Sequence, residues 1–324
     1  MIAATAFLGL VLAGGTWSYP ALSARDRSSG RPLTTVALVQ PNVPLEETWA
    51  PSSKTRVVRK LLAMSREALK DKPDLIIWPE TSFPHFYWQL KDLFAEVEEF
   101  ARQNRVSLLV GAVTRAGDDF YNSALLITPD GYRGMSYSKR HLVVFGEYIP
   151  LREQLPFLAS IVPIDDFREG ETDVIFTLPN GARFSVLICF EDTISGLARR
   201  DAANGADFLV NMTNDAWFGD SGQQRMHLEN ALFRSVENRR PLLRATNTGE
   251  TCAVSSGGKA GPCVEDDRGR RVLVDGITVL RVGGVGVRSF YTKYGDVFTL
   301  ACGMGILIIV IWRVSNSRRV KADG

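Results

Sequence analysis

Histidine is scarce in this chain: His85, His141 and His227 are the only three in 324 residues, and they lie far apart. No CxxC or HExxH string supplements them, so a catalytic metal is not expected and no cofactor is implied. Charge of one sign is missing too. Lys and Arg total 38 against 36 for Asp and Glu, a formal net charge of +2. That balance lacks the basic field expected of a nucleic-acid binder. Cysteine is limited to Cys189, Cys252, Cys263 and Cys302. Between Leu33 and Arg288 there is neither a low-complexity linker nor an internal repeat. With 45% hydrophobic residues the chain reads as globular rather than disordered or fibrous.

What is present is unevenly spread. No charged residue occurs from Met1 to Ala24, and a second uncharged run covers Val297 to Trp312. A bilayer core needs roughly 20 apolar helical residues, about 17 at the lower end. The first run is expected to span a membrane over residues 1–24, because its start lacks the basic residues of a cleaved signal peptide. The second is expected to span over residues 294–313, with Tyr294 and Trp312 at the interfaces. Arg313, Arg318, Arg319 and Lys321 make residues 314–324 a basic, cytoplasmic tail. Both termini then lie inside and the middle region outside. Arg25, Arg27 and Arg31 argue the other way, but long translocated domains largely escape the charge rule.

Residues 33–290 alternate strand and helix patterns as one domain. TTVALVQ, DLIIWPE, SLLVGAV and YNSALLITPDG read as strands, with helices over Lys54–Lys70 and Asp92–Arg105 between them. The second half repeats this order: strand ARFSVLICFE, helix Thr193–Asn204, strand ADFLVNMTND, helix Gln223–Asn238, then strands PLLRATNTG and ETCAVSS. Such strands are apolar on both faces, so each face of a sheet needs a cover. Cys252 and Cys263 are symmetric about Gly257-Gly258, and a two-residue hairpin would set them opposite each other. A disulfide suits that pairing in an oxidising compartment, although Pro262 makes the ladder irregular.

Glu80, Cys189 and Asn214-Asp215 all fall at strand ends, where loops build sites. Each alone has a plain structural reading. Cys189 follows Val186-Leu187-Ile188 and could be a small core residue; Glu80 and Lys139 could be exposed surface charges. The contexts LIIWPETSFP, YSKRHLVVFGEYIPL and VLICFE, taken in order, resemble the nitrilase superfamily of carbon–nitrogen hydrolases. VALVQPNVP, FLVNMTNDAWFGDSG, HLENALFRSVENRRPLLRATNTG and TKYGD sharpen the resemblance to its apolipoprotein N-acyltransferase branch, a bacterial inner-membrane family.

The resemblance implies an α/β fold, a nitrilase-like α-β-β-α sandwich, here flanked by one transmembrane helix at each end. It implies an extracytoplasmic site at the cell inner membrane, a phospholipid acyl donor and a diacylated lipoprotein acceptor. It also implies a Glu80–Lys139–Cys189 triad working through a thioester: Glu80 as base, Lys139 and the amide after Cys189 beside the developing oxyanion. Glu147 matches the family's second glutamate, Trp49 a functional tryptophan and Glu191 the acid two positions after the nucleophile. Trp49 could equally be a packing aromatic and Glu191 a helix cap. Phe190 stands where many members carry tyrosine, so any bond from that hydroxyl is lost or replaced. Trp217 is either a core aromatic or a residue facing acyl chains.

Members of that branch carry several hydrophobic helices before the catalytic domain, and this chain shows one. A truncated product, a split enzyme with a separate membrane subunit, and a reduced variant all fit. A membrane-anchored amidase or nitrilase, and an inactive binding fragment, are the competing functions.

Overall fold

The computed structural model describes residues 32–50, 52–84, 86–150, 167–284 and 286–322. The expected N-terminal span, residues 1–24, lies outside the described residues. The strands are β1 (Leu33–Gln40), β2 (Leu75–Ile77), β3 (Ser107–Ala116), β4 (Asp119–Thr128), β5 (Gly131–Ser138), β6 (Phe176–Thr177), β7 (Arg183–Ile188), β8 (Phe208–Thr213), β9 (Leu242–Thr246), β10 (Cys252–Val254), β11 (Ala260–Cys263) and β12 (Gly276–Gly283). They form two six-stranded sheets, ordered β12-β1-β2-β3-β4-β5 and β11-β10-β9-β8-β7-β6. Each sheet has three parallel strands at its centre, β1-β2-β3 and β7-β8-β9, with antiparallel strands added outside.

The run TTVALVQ shows why the strands are apolar on both faces. Val36 and Leu38 enter a core shared with Phe184, Val186 and Val210 of the other sheet, while Ala37 and Val39 enter a core under helices. Those helices are α2 (Lys54–Ala68) and α3 (Lys91–Asn104), which bury Val57, Val58, Leu61 and Leu62, and Phe94, Val97, Phe100 and Ala101. That spacing presents one stripe to the sheet. A short helix, α1 (Leu45–Trp49), precedes them. Helices α4 (Ser195–Ala203) and α5 (Gln223–Asn238) cover the second sheet over a third core that includes Leu187, Leu197, Leu228 and Ala231. The order of layers is therefore helix, sheet, sheet, helix, as expected.

One expectation needs correction. The helix read from Thr193 is two elements: a 3-10 turn over Cys189–Thr193, then α4 from Ser195. After the short helix α6 (Phe290–Tyr294), helix α7 runs unbroken over Val297–Ala322. The hairpin of β10 and β11 is irregular, as Pro262 suggested, yet pairs Cys252 with Cys263, and a disulfide joins them at a Cα–Cα distance of 4.2 Å.

Candidate active site

Cys189 is the first residue after β7 and has φ 52°, a left-handed backbone for a side chain that disfavours it. Such a conformation costs about 1–3 kcal/mol and persists only where surroundings impose it. Here they do. The Ile188 N–H donates to Glu191 Oε2 at 2.7 Å, and Asn211 Nδ2 donates to the carbonyls of Leu187 (3.2 Å) and Cys189 (3.1 Å). Cys189 is half-buried at the sheet end, where Thr213 of β8 acts to lower its thiol pKa. Two more non-glycine residues are left-handed beside the acids of interest, Thr81 next to Glu80 and Phe145 before Glu147.

Glu80 follows β2 in a buried loop, 8% exposed. Its Oε1 accepts from Asn122 Nδ2 at 2.8 Å, and its Oε2 accepts from the Asn214 N–H at 2.8 Å. The second bond ties this loop of the first sheet to the end of β8 in the second. Gly111 on β3 lies beneath it; a Cβ there would meet the Pro79 carbonyl at 2.3 Å.

Lys139 is not a surface lysine. It follows β5, is 1% exposed, and lies 2.6 Å from Glu147 Oε2 and 3.9 Å from Glu80 Oε1. Asn122 Nδ2 donates also to Glu147 Oε1 at 2.9 Å, so one amide bridges both glutamates. Burial opposes the charge on Lys139, but Glu80, Cys189 and Glu147 outweigh it and raise its pKa, holding it as a cation. Burial raises the Glu80 carboxyl; Lys139 opposes that shift and Glu147 adds to it. Burial and the Glu80 carboxylate push the Cys189 thiol well above its usual range, against Lys139. The site thus holds a strengthened base, a neutral thiol and a fixed cation.

Glu191 is fully buried and caps the 3-10 turn through the Ile188 N–H, but it does more than cap. It accepts from Tyr137 Oη (2.7 Å) and from the backbone N–H groups of Ile188, Arg140 (2.6 Å) and His141 (3.1 Å). One carboxylate therefore staples the strand end carrying Lys139 to the elbow carrying Cys189. Phe190 stacks on His227 with centroids 4.7 Å apart, and its edge meets Phe218. Trp217 is 68% exposed, which removes the core reading. Trp49 ends helix α1, and its side chain lies outside the described residues.

Behind Cys189 is a charge cluster that pattern reading missed. Arg244, Asp192 and Asp215 are wholly buried and His227 nearly so. Arg244 Nη1 donates to Asp192 Oδ2 (2.8 Å) and to Asn211 Oδ1, and its Nη2 to Asp215 Oδ2 (3.1 Å). His227 places Nδ1 3.0 Å from Asp215 Oδ1 and Nε2 3.1 Å from Asp192 Oδ1. Asn122 was equally missed, inside the strand string YNSALL. Both sets lie on elements legible in the sequence, but nothing in their spacing pairs them.

Residues 35–272 match the family described as Carbon-nitrogen hydrolase. The chain belongs to the carbon–nitrogen hydrolase family. Within that family it is similar to the apolipoprotein N-acyltransferase of Geobacter metallireducens, 36% identical over 284 residues, covering 85% of this chain and 52% of that protein. The enzyme of the same name from Methylococcus capsulatus is 39% identical over 261 residues, covering 77% of this chain and 49% of that one. The chain spans about half the length of the curated relatives it matches. Among solved structures, the amidase from a Nesterenkonia species shares the carbon–nitrogen hydrolase fold with a TM-score of 0.58 at 18% identity, covering 78% of this chain and 91% of that one.

Proposed function

We propose that this hydrolase-family domain transfers an acyl chain through a thioester on Cys189, from a phospholipid to the N-terminal amine of a diacylated lipoprotein. The observation that carries the chemistry is the meeting of Glu80, Lys139 and Glu147 with Cys189 on its left-handed elbow. The identity of the relatives supports the substrates.

In the first half, Glu80 takes the thiol proton as sulfur attacks the donor ester carbonyl. The tetrahedral oxyanion forms beside Lys139 and the Phe190 N–H, then collapses with cleavage of the C–O bond. Glu80 returns the proton to the leaving lysophospholipid oxygen. In the second half, the acceptor α-amine attacks the thioester, Glu80 takes its proton, the C–S bond breaks, and the proton returns to sulfur. Glu147 keeps Lys139 in place and charged; Trp49 and Trp217 are assigned to substrate contact.

Helix α7 supports a membrane setting. Its stretch Val297–Ser315 has mean hydropathy 2.2 and none of it is buried against the protein. We assign it as the C-terminal span and residues 1–24 as a second, with residues 33–290 outside the cytoplasmic membrane. The Cys252–Cys263 disulfide suits that oxidising side. A separate membrane subunit would supply further lipid-access helices.

Membranes containing the protein, incubated with phospholipid and a diacylated lipopeptide, are expected to yield the triacylated lipopeptide by mass spectrometry. Ammonia release from small amides with no lipopeptide product would replace this reading with an anchored amidase.

A further inference from the structure

The Asp192–Asp215–Arg244–His227 cluster takes no part in the steps above, yet it touches the elbow at three points. Asp192 belongs to the same 3-10 turn as Cys189. Asn211, which receives Arg244 Nη1, donates to the Cys189 carbonyl. The His227 ring lies against Phe190, stacked at 21°. The amide of Phe190 is the backbone group beside the oxyanion, so whatever fixes this turn fixes that donor.

The charges are nearly closed off from water, and their bookkeeping is tight. Arg244 donates to an oxygen of each carboxylate, and a carboxylate only accepts hydrogen bonds. Each ring nitrogen of His227 faces one of those anions. A neutral imidazole would point one lone pair at a carboxylate and leave the buried cluster with a net negative charge. An imidazolium donates to both and brings the cluster to neutrality. Burial and Arg244 work against that charge, but the bonds to Asp192 and Asp215 prevail and raise the pKa of His227. Gly249 completes the enclosure: a Cβ there would meet Asp215 Oδ2 at 2.1 Å.

We propose that His227 is a positioning residue, an imidazolium that closes the Asp192–Asp215–Arg244 cluster and so holds the Phe190 amide where the oxyanion forms. It touches neither substrate nor Cys189; it acts through Phe190, Asp192 and Asn211. The kinetic test rests on the thioester reading, and a spectroscopic one does not.

The full chain in detergent is mixed with p-nitrophenyl acetate, and acylation of Cys189 is followed by mass spectrometry. His227→Gln can donate to only one carboxylate, so its carbonyl oxygen meets the other. Acylation is expected to slow about a hundredfold, the effect typical of a misplaced catalytic group. Adding Asp192→Asn restores charge balance and a donor for that carbonyl, and the double variant is expected to recover most of the rate. A space-filling role predicts no recovery. Wild-type acylation in His227→Gln, or a double variant as slow as the single one, overturns the proposal. If the wild type does not acylate, the thioester reading fails. This proposal is then decided by ¹⁵N-histidine spectra of the wild type at neutral pH: two protonated ring nitrogens on His227 uphold it, one overturns it.

Discussion

At the scale of the residue, the role proposed for Cys189 depends on its neighbours. Its thiol is pushed up by burial and by Glu80, so in the proposed mechanism the nucleophile forms as Glu80 takes the proton during attack. Cys189→Ala should abolish the acyl adduct seen when acceptor is withheld, and Cys252→Ala should leave it. Lys139→Met removes the buried cation beside the oxyanion, and acylation should slow by about a hundredfold, the usual loss for one such stabiliser. Retention of wild-type rate in Lys139→Met would exclude it from the site. The pH dependence follows from Glu80, which works only when ionised. Its folded pKa lies above 4.5, so the acylation rate falls as pH drops through that raised value. Glu147 contributes to the rise. Glu147→Gln should therefore move the acid limb of the rate profile to lower pH, and an upward shift would contradict this account.

At the scale of the element, the site depends on how closely loops approach the first sheet. Gly111 lets the Pro79–Thr81 backbone pass where a methyl group would stand 2.3 Å from an oxygen. Gly111→Ala should destabilise the fold by about 1–3 kcal/mol through overpacking, read by chemical denaturation. It should also slow acylation, because Glu80 rides on the displaced segment. The β10–β11 edge shows the opposite case, a staple away from the chemistry. Removing the Cys252–Cys263 link, which closes a sequence separation of 11, should cost about 2–3 kcal/mol without loss of acylation by the folded fraction. Helix periodicity made α2, α3 and α5 legible, since each buries one stripe on a sheet. The turn at Cys189 was not legible, because a 3-10 segment of five residues has no hydrophobic period of its own.

At the scale of the whole molecule, helix α7 stands apart from the sandwich, its apolar side chains turned outward. Deleting residues 297–324 should shift the protein from the membrane fraction toward the soluble one on fractionation; unchanged partition would argue against α7 as an anchor. The buried charge cluster sets a second global property. His227, raised above 6.5, contributes stability that is full below 6.5 and is lost as pH rises through its folded value. Asp215 is lowered below 3.8 because Arg244 and His227 overcome its burial. Its contribution is present above 3.8 and lost as pH falls through the folded value. Melting temperature should thus hold between these limits, and His227→Gln should remove the alkaline decline.

Alternation and helical period, written along the chain, determined the strands, the main helices and the apolar helix near its end, while the local strings at strand ends carried the resemblance that implied a two-sheet sandwich and singled out Glu80, Lys139 and Cys189. Only the tertiary structure decided what surrounds and holds them. Asn122 bridges two glutamates from a middle strand, Glu191 binds the Lys139 segment to the elbow, and His227 neutralises carboxylates 35 and 12 positions away. Those partners meet across sheets and turns. Their hydrogen bonds depend on distance in space and exclusion of water, and neither quantity has a signature in spacing along the chain.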